Sequence, residues 1–151
     1  MIDLHTHSSN SDGELNPSQL IEKAVFLGLK AIALTDHDTV SGLEEAENAS
    51  KAAKIRFIPG VELEIHSELG QGPVINGEFH LLGLGLGRIT GELLASLDYL
   101  SSERERRNRE MVEKIRAAGI EVDYEEIITL AGKSDSRKLK KWVGGIIGGK
   151  T

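Results

Sequence analysis

The chain has 151 residues and not one cysteine. This excludes a disulfide scaffold, thiolate zinc sites, iron–sulfur clusters and a cysteine nucleophile. Any metal must therefore be held by His, Asp and Glu. Long apolar runs are also lacking, and none approaches the ~20 residues of a membrane helix. The opening Met1-Ile-Asp-Leu-His5 has no basic region leading into an apolar stretch, so no secretory signal is visible. The expectation is a cytoplasmic protein without a membrane partner. The formal net charge of −6 argues against a broad nucleic-acid-binding face.

What is present is ordinary for a globular protein: 39% hydrophobic and 28% charged residues. The length suits about one domain, which buries roughly two-thirds of its unfolded surface. Charge is unevenly spread. Residues 133–151 hold six basic residues and one acidic one, a net of +5, whereas residues 1–132 hold 12 basic and 23 acidic ones, a net of −11. The domain is accordingly expected to occupy 1–132. The remainder, 133–151, is either a basic Gly-rich tail or an interrupted continuation.

Periodicity predicts strands at 2–6, 30–35, 56–65 and 79–86, the last antiparallel to the one before it. A loop is expected at 68–78, with three glycines, a proline and an asparagine. Helices are expected from Asn16-Pro17 to about Gly28, over 40–53, and from Gly91 to Ala118 with Gly119 ending it. A short strand at 120–122 and a helix at 124–131 follow. Strands alternating with helices predict an α/β fold with a mainly parallel sheet or barrel.

The histidines carry the functional argument. His5 and His7 lie two apart at the end of the first strand and so share a side. Alone, the pair also fits two polar residues at a strand end. Asp12, in Ser-Asn-Ser-Asp-Gly, also fits an Asx turn. Asp36-His37-Asp38 directly follows an apolar strand, where a solvated loop is the plainer account. Glu62 lies within an apolar run, which is unfavourable for a carboxylate unless it is paired or bound to metal. His80 stands between Phe79 and Leu81, where a core histidine is the common finding. Together these ligand types cluster at or near the ends of four successive β segments, where parallel α/β folds place their active sites. Nitrogen and oxygen ligands without sulfur suit Zn²⁺, Mn²⁺ or Fe²⁺.

As an ordered set, Asp3-Leu-His-Thr-His-Ser-Ser-Asn-Ser-Asp-Gly13, Leu34-Thr-Asp-His-Asp-Thr-Val-Ser-Gly42, Pro59-Gly-Val-Glu62 and His80-Leu-Leu-Gly83 resemble motifs of the PHP (polymerase and histidinol phosphatase) superfamily. The branch they resemble most is that of 3′,5′-nucleoside bisphosphate phosphatases and 5′–3′ exoribonucleases, over about residues 1–132. The resemblance implies the N-terminal portion of a distorted seven-stranded β/α barrel. It further implies up to three divalent metals (Mn²⁺, Zn²⁺ or Fe²⁺) and a metal-bound hydroxide hydrolysing phosphomonoesters or diesters. The substrates so implied are phosphorylated nucleotides, small phosphoesters or short RNA and DNA ends. By the same resemblance His5 and His7 would bind a first metal, Glu62 would bridge it to a second, and His80 would bind that second ion. Asp12 and His37 would bind a third. Asp36 and Asp38 would serve catalysis by shaping the site, and Arg107 would fork onto substrate phosphate. Histidinol-phosphate phosphatase activity is the alternative within the superfamily, and a degenerate, non-catalytic fragment is the alternative outside catalysis.

The sequence also departs from the superfamily pattern. No histidine follows His80, so a later strand histidine and a final Asp-x-His pair are absent. The simplest account is a truncated chain. The expectation is a weakened third site and little activity unless another chain completes it. Arg104, Arg106, Arg107 and Arg109 interleave with Glu103, Glu105 and Glu110, a pattern that usually marks a solvated helix face. Gly83, Gly85 and Gly87 precede no phosphate-binding helix and make no dinucleotide fingerprint.

Overall fold

Local chemistry sets the element boundaries in the first third of the chain. The computed structural model describes residues 1–66 and 78–130. Strand β1 (Ile2–Thr6) leads through a polar loop to helix α1 (Pro17–Phe26). Asn16 caps α1: its side chain accepts from the Gln19 amide while the Gln19 side chain accepts from the Asn16 amide, and Pro17 takes the first turn. Strand β2 (Ala31–Leu34) is buried at every residue, as expected of a strand covered on both faces. Helix α2 (Leu43–Ala53) ends at Lys54, which adopts the left-handed conformation with φ of 56°.

Strands β3 (Arg56–His66) and β4 (Glu78–Leu84) complete a four-stranded sheet in the order β1-β2-β3-β4. β1, β2 and β3 are parallel, and β4 runs antiparallel to β3, in agreement with the periodicity. β3 changes partners along its length. Arg56 to Pro59 pair with β2, and Gly60 to His66 pair with β4. The change falls at Gly60, where a Cβ would stand 2.8 Å from both the Gly83 carbonyl oxygen and Thr35 Cγ2. Because β4 is antiparallel, its beginning lies beside the end of β3. That brings His80 toward the same sheet end as the residues following β1 and β2.

The chain divides into two compact units, Met1–Leu94 and Ala95–Thr151. In the first, Ile21 and Ala24 of α1 and Leu43 and Ala46 of α2 pack with Ile32 and Leu34 of β2. Helix α3 (Gly91–Ala117) begins in this unit and continues into the second, which also contains helix α4 (Tyr124–Leu130). There Val112, Tyr124 and Ile127 form a buried cluster, and the Arg109 guanidinium stacks 4.2 Å from the Tyr124 ring centre. Gly119, with φ of 84°, ends α3 as expected.

One expectation fails. Residues 120–122 form no strand. Val122 instead packs on the α3–α4 cluster, and its carbonyl accepts a hydrogen bond from Arg116 Nε at 2.7 Å. With that oxygen engaged by a side chain, the segment has joined a helix pair rather than a sheet edge. Most of the expected loop at 68–78 and the whole 133–151 segment lie outside the described residues. Among the described residues no helix is long and apolar enough to cross a membrane.

Candidate metal centre

Glu62 is the centre of a cluster assembled by four chain segments. It is 4% exposed and lies in the part of β3 just beyond the end of β2. There the Glu62 amide donates to the Asp36 carbonyl and the Asp38 amide donates to the Glu62 carbonyl, which aligns His37 with Glu62 as an isolated parallel bridge. The sheet ladder thus runs on past β2 for one more step and delivers His37 beside Glu62.

Four imidazoles surround this carboxylate. Nε2 of His5 and Nε2 of His7 lie 3.1 Å and 3.2 Å from Oε2, and Nδ1 of His37 lies 3.3 Å from the same oxygen. Nδ1 of His80 lies 2.8 Å from Oε1. The rings pack in series: His5 and His7 with centres 5.0 Å apart, His7 and His37 stacked at 4.6 Å, and His37 and His80 edge-on at 5.3 Å. Asp12 adds a second carboxylate, its Oδ1 lying 3.6 Å from His7 Nδ1 and 3.9 Å from His37 Nε2. All six residues proposed from the sequence as ligands therefore converge.

Burial pushes the Glu62 carboxyl up. Hydrogen bonds with His5 and His80, and the charges of His37 and His5, outweigh that push and hold it below the usual glutamate value. The cluster is thus built around a negative charge whose neighbours are nitrogens that can each offer a lone pair. Three overlapping groups have ligand atoms mutually within 4.8 Å: His5, His7 and Glu62; His7, Asp12 and His37; and His37, Glu62 and His80. Imidazole and carboxylate donors at this density fit divalent metal ions.

Asp36 and Asp38 are both buried, and each ties separate backbone segments together. Asp36 accepts from the Ser8 amide at 2.7 Å, from the Ser8 hydroxyl at 2.6 Å and from the Ser11 hydroxyl. Asp38 has φ of 47°, and its carboxylate accepts from the Glu64 amide at 3.1 Å. Arg107 lies on α3 in the second unit. Its neighbours Arg106 and Arg109 pair with exposed glutamates: Arg106 with Glu103 and Glu110, Arg109 with Glu105.

Ser8 and Ser11 escaped the sequence reading. Both are fully buried, although Ser8-Ser-Asn-Ser-Asp-Gly13 reads as an ordinary polar loop. The loop closes so tightly that a Cβ at Gly13 would stand 2.2 Å from the His7 carbonyl oxygen. No hydropathy signal marks serines buried by one distant carboxylate.

The chain is 38% identical over 129 residues to a 5′-3′ exoribonuclease of Haemophilus influenzae, a match covering 85% of this chain and 44% of that protein. It is 39% identical over 119 residues to a 3′,5′-nucleoside bisphosphate phosphatase of Chromobacterium violaceum, covering 79% of this chain and 39% of that one. A solved amidohydrolase of Chromobacterium violaceum, with sulfate bound and no metal, superposes with a TM-score of 0.74 at 33% identity. That superposition covers 91% of this chain and 45% of the other. The chain thus spans less than half the length of these relatives. The imidazole–carboxylate cluster, the α/β fold and the match of residues 3–139 to the PHP domain pattern agree, and the chain belongs to the PHP domain family.

Proposed function

We propose that this chain carries the metal-holding residues of a phosphoric ester hydrolase acting in the cytoplasm on phosphorylated nucleotides or on short RNA and DNA ends. One observation carries the reading: a buried carboxylate, Glu62, with four imidazole nitrogens 2.8–3.3 Å from its two oxygens. The relatives named as nucleotide phosphatase and exoribonuclease support the substrate class. The sulfate held by the Chromobacterium structure supports an oxyanion ligand, since sulfate shares the tetrahedral shape of phosphate.

In this reading His5, His7 and Glu62 hold one divalent ion, Glu62 and His80 a second, and Asp12 and His37 a third, with Mn²⁺, Zn²⁺ or Fe²⁺ as candidates. Bound divalent ions would polarise phosphoryl oxygens and make water nucleophilic near neutral pH. Glu62 contributes the negative charge that keeps cations in the basin. His5 and His80, whose side chains are 50% and 40% exposed, form the open rim where substrate enters. His7 and His37 form the stacked inner wall. Asp36 holds the 8–13 loop, and Asp38 ties the post-β2 turn to β3. Arg107 is proposed to contact substrate phosphate.

Metal analysis of the purified chain, together with phosphate release from a 3′,5′-bisphosphorylated nucleotide and from histidinol phosphate, tests the proposal. Bound transition metal that is lost in His5→Ala, with release favouring the bisphosphate, is the expected result. Preference for histidinol phosphate would select the other branch. Metal binding without release from either would select the non-catalytic reading. No metal above background in the wild type sinks the metal centre itself.

A further inference from the structure

Strands β1 and β2 start in regular register and finish out of step. Ile2 lies opposite Ala31 and Asp3 opposite Ile32, yet Leu34 is met by Thr6. β1 therefore advances three residues where β2 advances two, a one-residue β-bulge of a kind uncommon between parallel strands. Parity gives this bulge its consequence. Residues paired across a ladder share a face of the sheet, and successive residues of a strand alternate between faces. Ile32 and Leu34 lie on the face that packs with Ile21, Ala24, Leu43 and Ala46 of the two helices. An unbroken ladder from Asp3 would set His5 opposite Leu34, and both His5 and His7 would then point toward those helices. With the extra residue, Thr6 takes the Leu34 face, and His5 and His7 take the other. Glu62 lies on that other face, because Pro59 pairs with Leu34 and Glu62 follows Pro59 by an odd number of positions. Both imidazoles accordingly reach it, with Nε2 at 3.1 Å and 3.2 Å.

Thr6 pins the shifted register twice. Its hydroxyl donates to the Ala33 carbonyl at 2.5 Å, and Ala33 is the β2 residue left between the two registered pairs. Its own carbonyl accepts from the Thr35 amide at 2.9 Å and from the Thr35 hydroxyl at 3.1 Å. The start of β1 is held separately, by the Lys30 amide donating to the Met1 carbonyl at 2.9 Å. The extra residue is thus trapped between two anchored ends. We infer that Thr6 is a positioning residue: by holding the β1 bulge through its hydroxyl, it turns His5 and His7 from the helix-covered face of the sheet onto the Glu62 face. Bulges beside functional sites re-aim side chains in this way, since a one-residue change of register moves every following side chain to the opposite face. The register stands on backbone pairing alone, and its consequence for metal rests on the reading proposed above.

The test is the nuclear Overhauser pattern of the metal-free full chain, read at two places. Backbone contacts between β1 and β2 report the register, and the contact between the stacked His7 and His37 rings, 4.6 Å apart, reports the face. The wild type is expected to connect Thr6, not His5, with Leu34 and to show the ring contact. Thr6→Ser, which keeps the hydroxyl, is expected to keep both. Thr6→Val, which keeps the shape and removes the hydroxyl, is expected to lose both while the Ile21, Ile32 and Leu34 methyl signals of the core stay in place. A wild type with His5 opposite Leu34 overturns the inference. So does a folded Thr6→Val protein with register and ring contact intact, or a Thr6→Ser protein that loses them. Because the wild-type and Thr6→Ser spectra bear on the register directly, refutation stays possible even if Thr6→Val fails to fold. Titration with Mn²⁺ or Zn²⁺ alone gives a second readout: binding about 10–100-fold weaker in Thr6→Val and retained in Thr6→Ser. A wild type with the bulged register but no metal affinity would uphold the inference while removing the metal reading.

Discussion

Glu62 and His80 meet diagonally across the β3–β4 pair. The register sets Glu62 opposite Leu82 and His80 opposite Glu64, yet His80 Nδ1 lies 2.8 Å from Glu62 Oε1. Long and aromatic side chains bridge such diagonals readily. The consequence is a division of labour within one carboxylate: Oε1 faces β4, and Oε2 faces His5, His7 and His37.

That division makes Glu62 the residue whose charge the whole basin shares. Glu62→Gln keeps the shape and removes the charge. Metal content by elemental analysis and affinity by calorimetry are expected to fall by more than the ~10–100-fold typical of losing a supporting partner. Phosphate release should fall with them. Full metal retention in Glu62→Gln would contradict the central role assigned to this carboxylate.

Metal should stabilise the fold, because the proposed ligands come from β1 and the loop after it, the post-β2 turn, β3 and β4 and are gathered only in the folded state. At a free ion concentration about 100 times its dissociation constant, the gain is about 2.7 kcal/mol. Thermal melts with and without a chelator read this directly. A melting temperature indifferent to chelation and to added Mn²⁺ or Zn²⁺ would contradict it.

Gly13→Ala places a methyl group 2.2 Å from the His7 carbonyl oxygen, a backbone atom that cannot swing aside. The 8–13 loop must move, and Asp12 moves with it. A loss of about 1–3 kcal/mol in urea melts is expected, together with weaker metal binding. Gly87→Ala is the control, since nothing lies within 4 Å of its added carbon.

Ile21→Ala tests the support beneath the site. Ile21 is 1% exposed and packs in the cluster joining α1, α2 and β2. Chemical denaturation should show a loss of about 2–5 kcal/mol. A loss below about 1 kcal/mol would mean that this cluster is not the core of the first unit.

Much of this molecule is legible without coordinates, because its signals are local. Asn16-Pro17 starts a helix through its own capping bonds, Gly119 ends one through its positive φ, and Ala31 to Leu34 is apolar throughout, as a strand buried on both faces must be. His5, His7, Asp12, His37, Glu62 and His80 stand out because ionisable residues beside apolar strands are costly without a partner. Residues 120–122 misled because the alternation Ile120-Glu121-Val122 is too short to say which surface its two apolar residues will join. The antiparallel direction of β4 was expected, but the partner change at Gly60 and the diagonal reach of His80 depend on strand register, a relation between segments distant in the chain. The same holds for Ser8 and Ser11. Their burial is decided by Asp36, 28 and 25 positions away, and a serine carries no mark of a distant partner. Residue type and order thus name the candidate ligands and the elements that bear them. Which nitrogen faces which oxygen is a matter of tertiary packing, because hydrogen bonds are set by distances that only the folded chain defines.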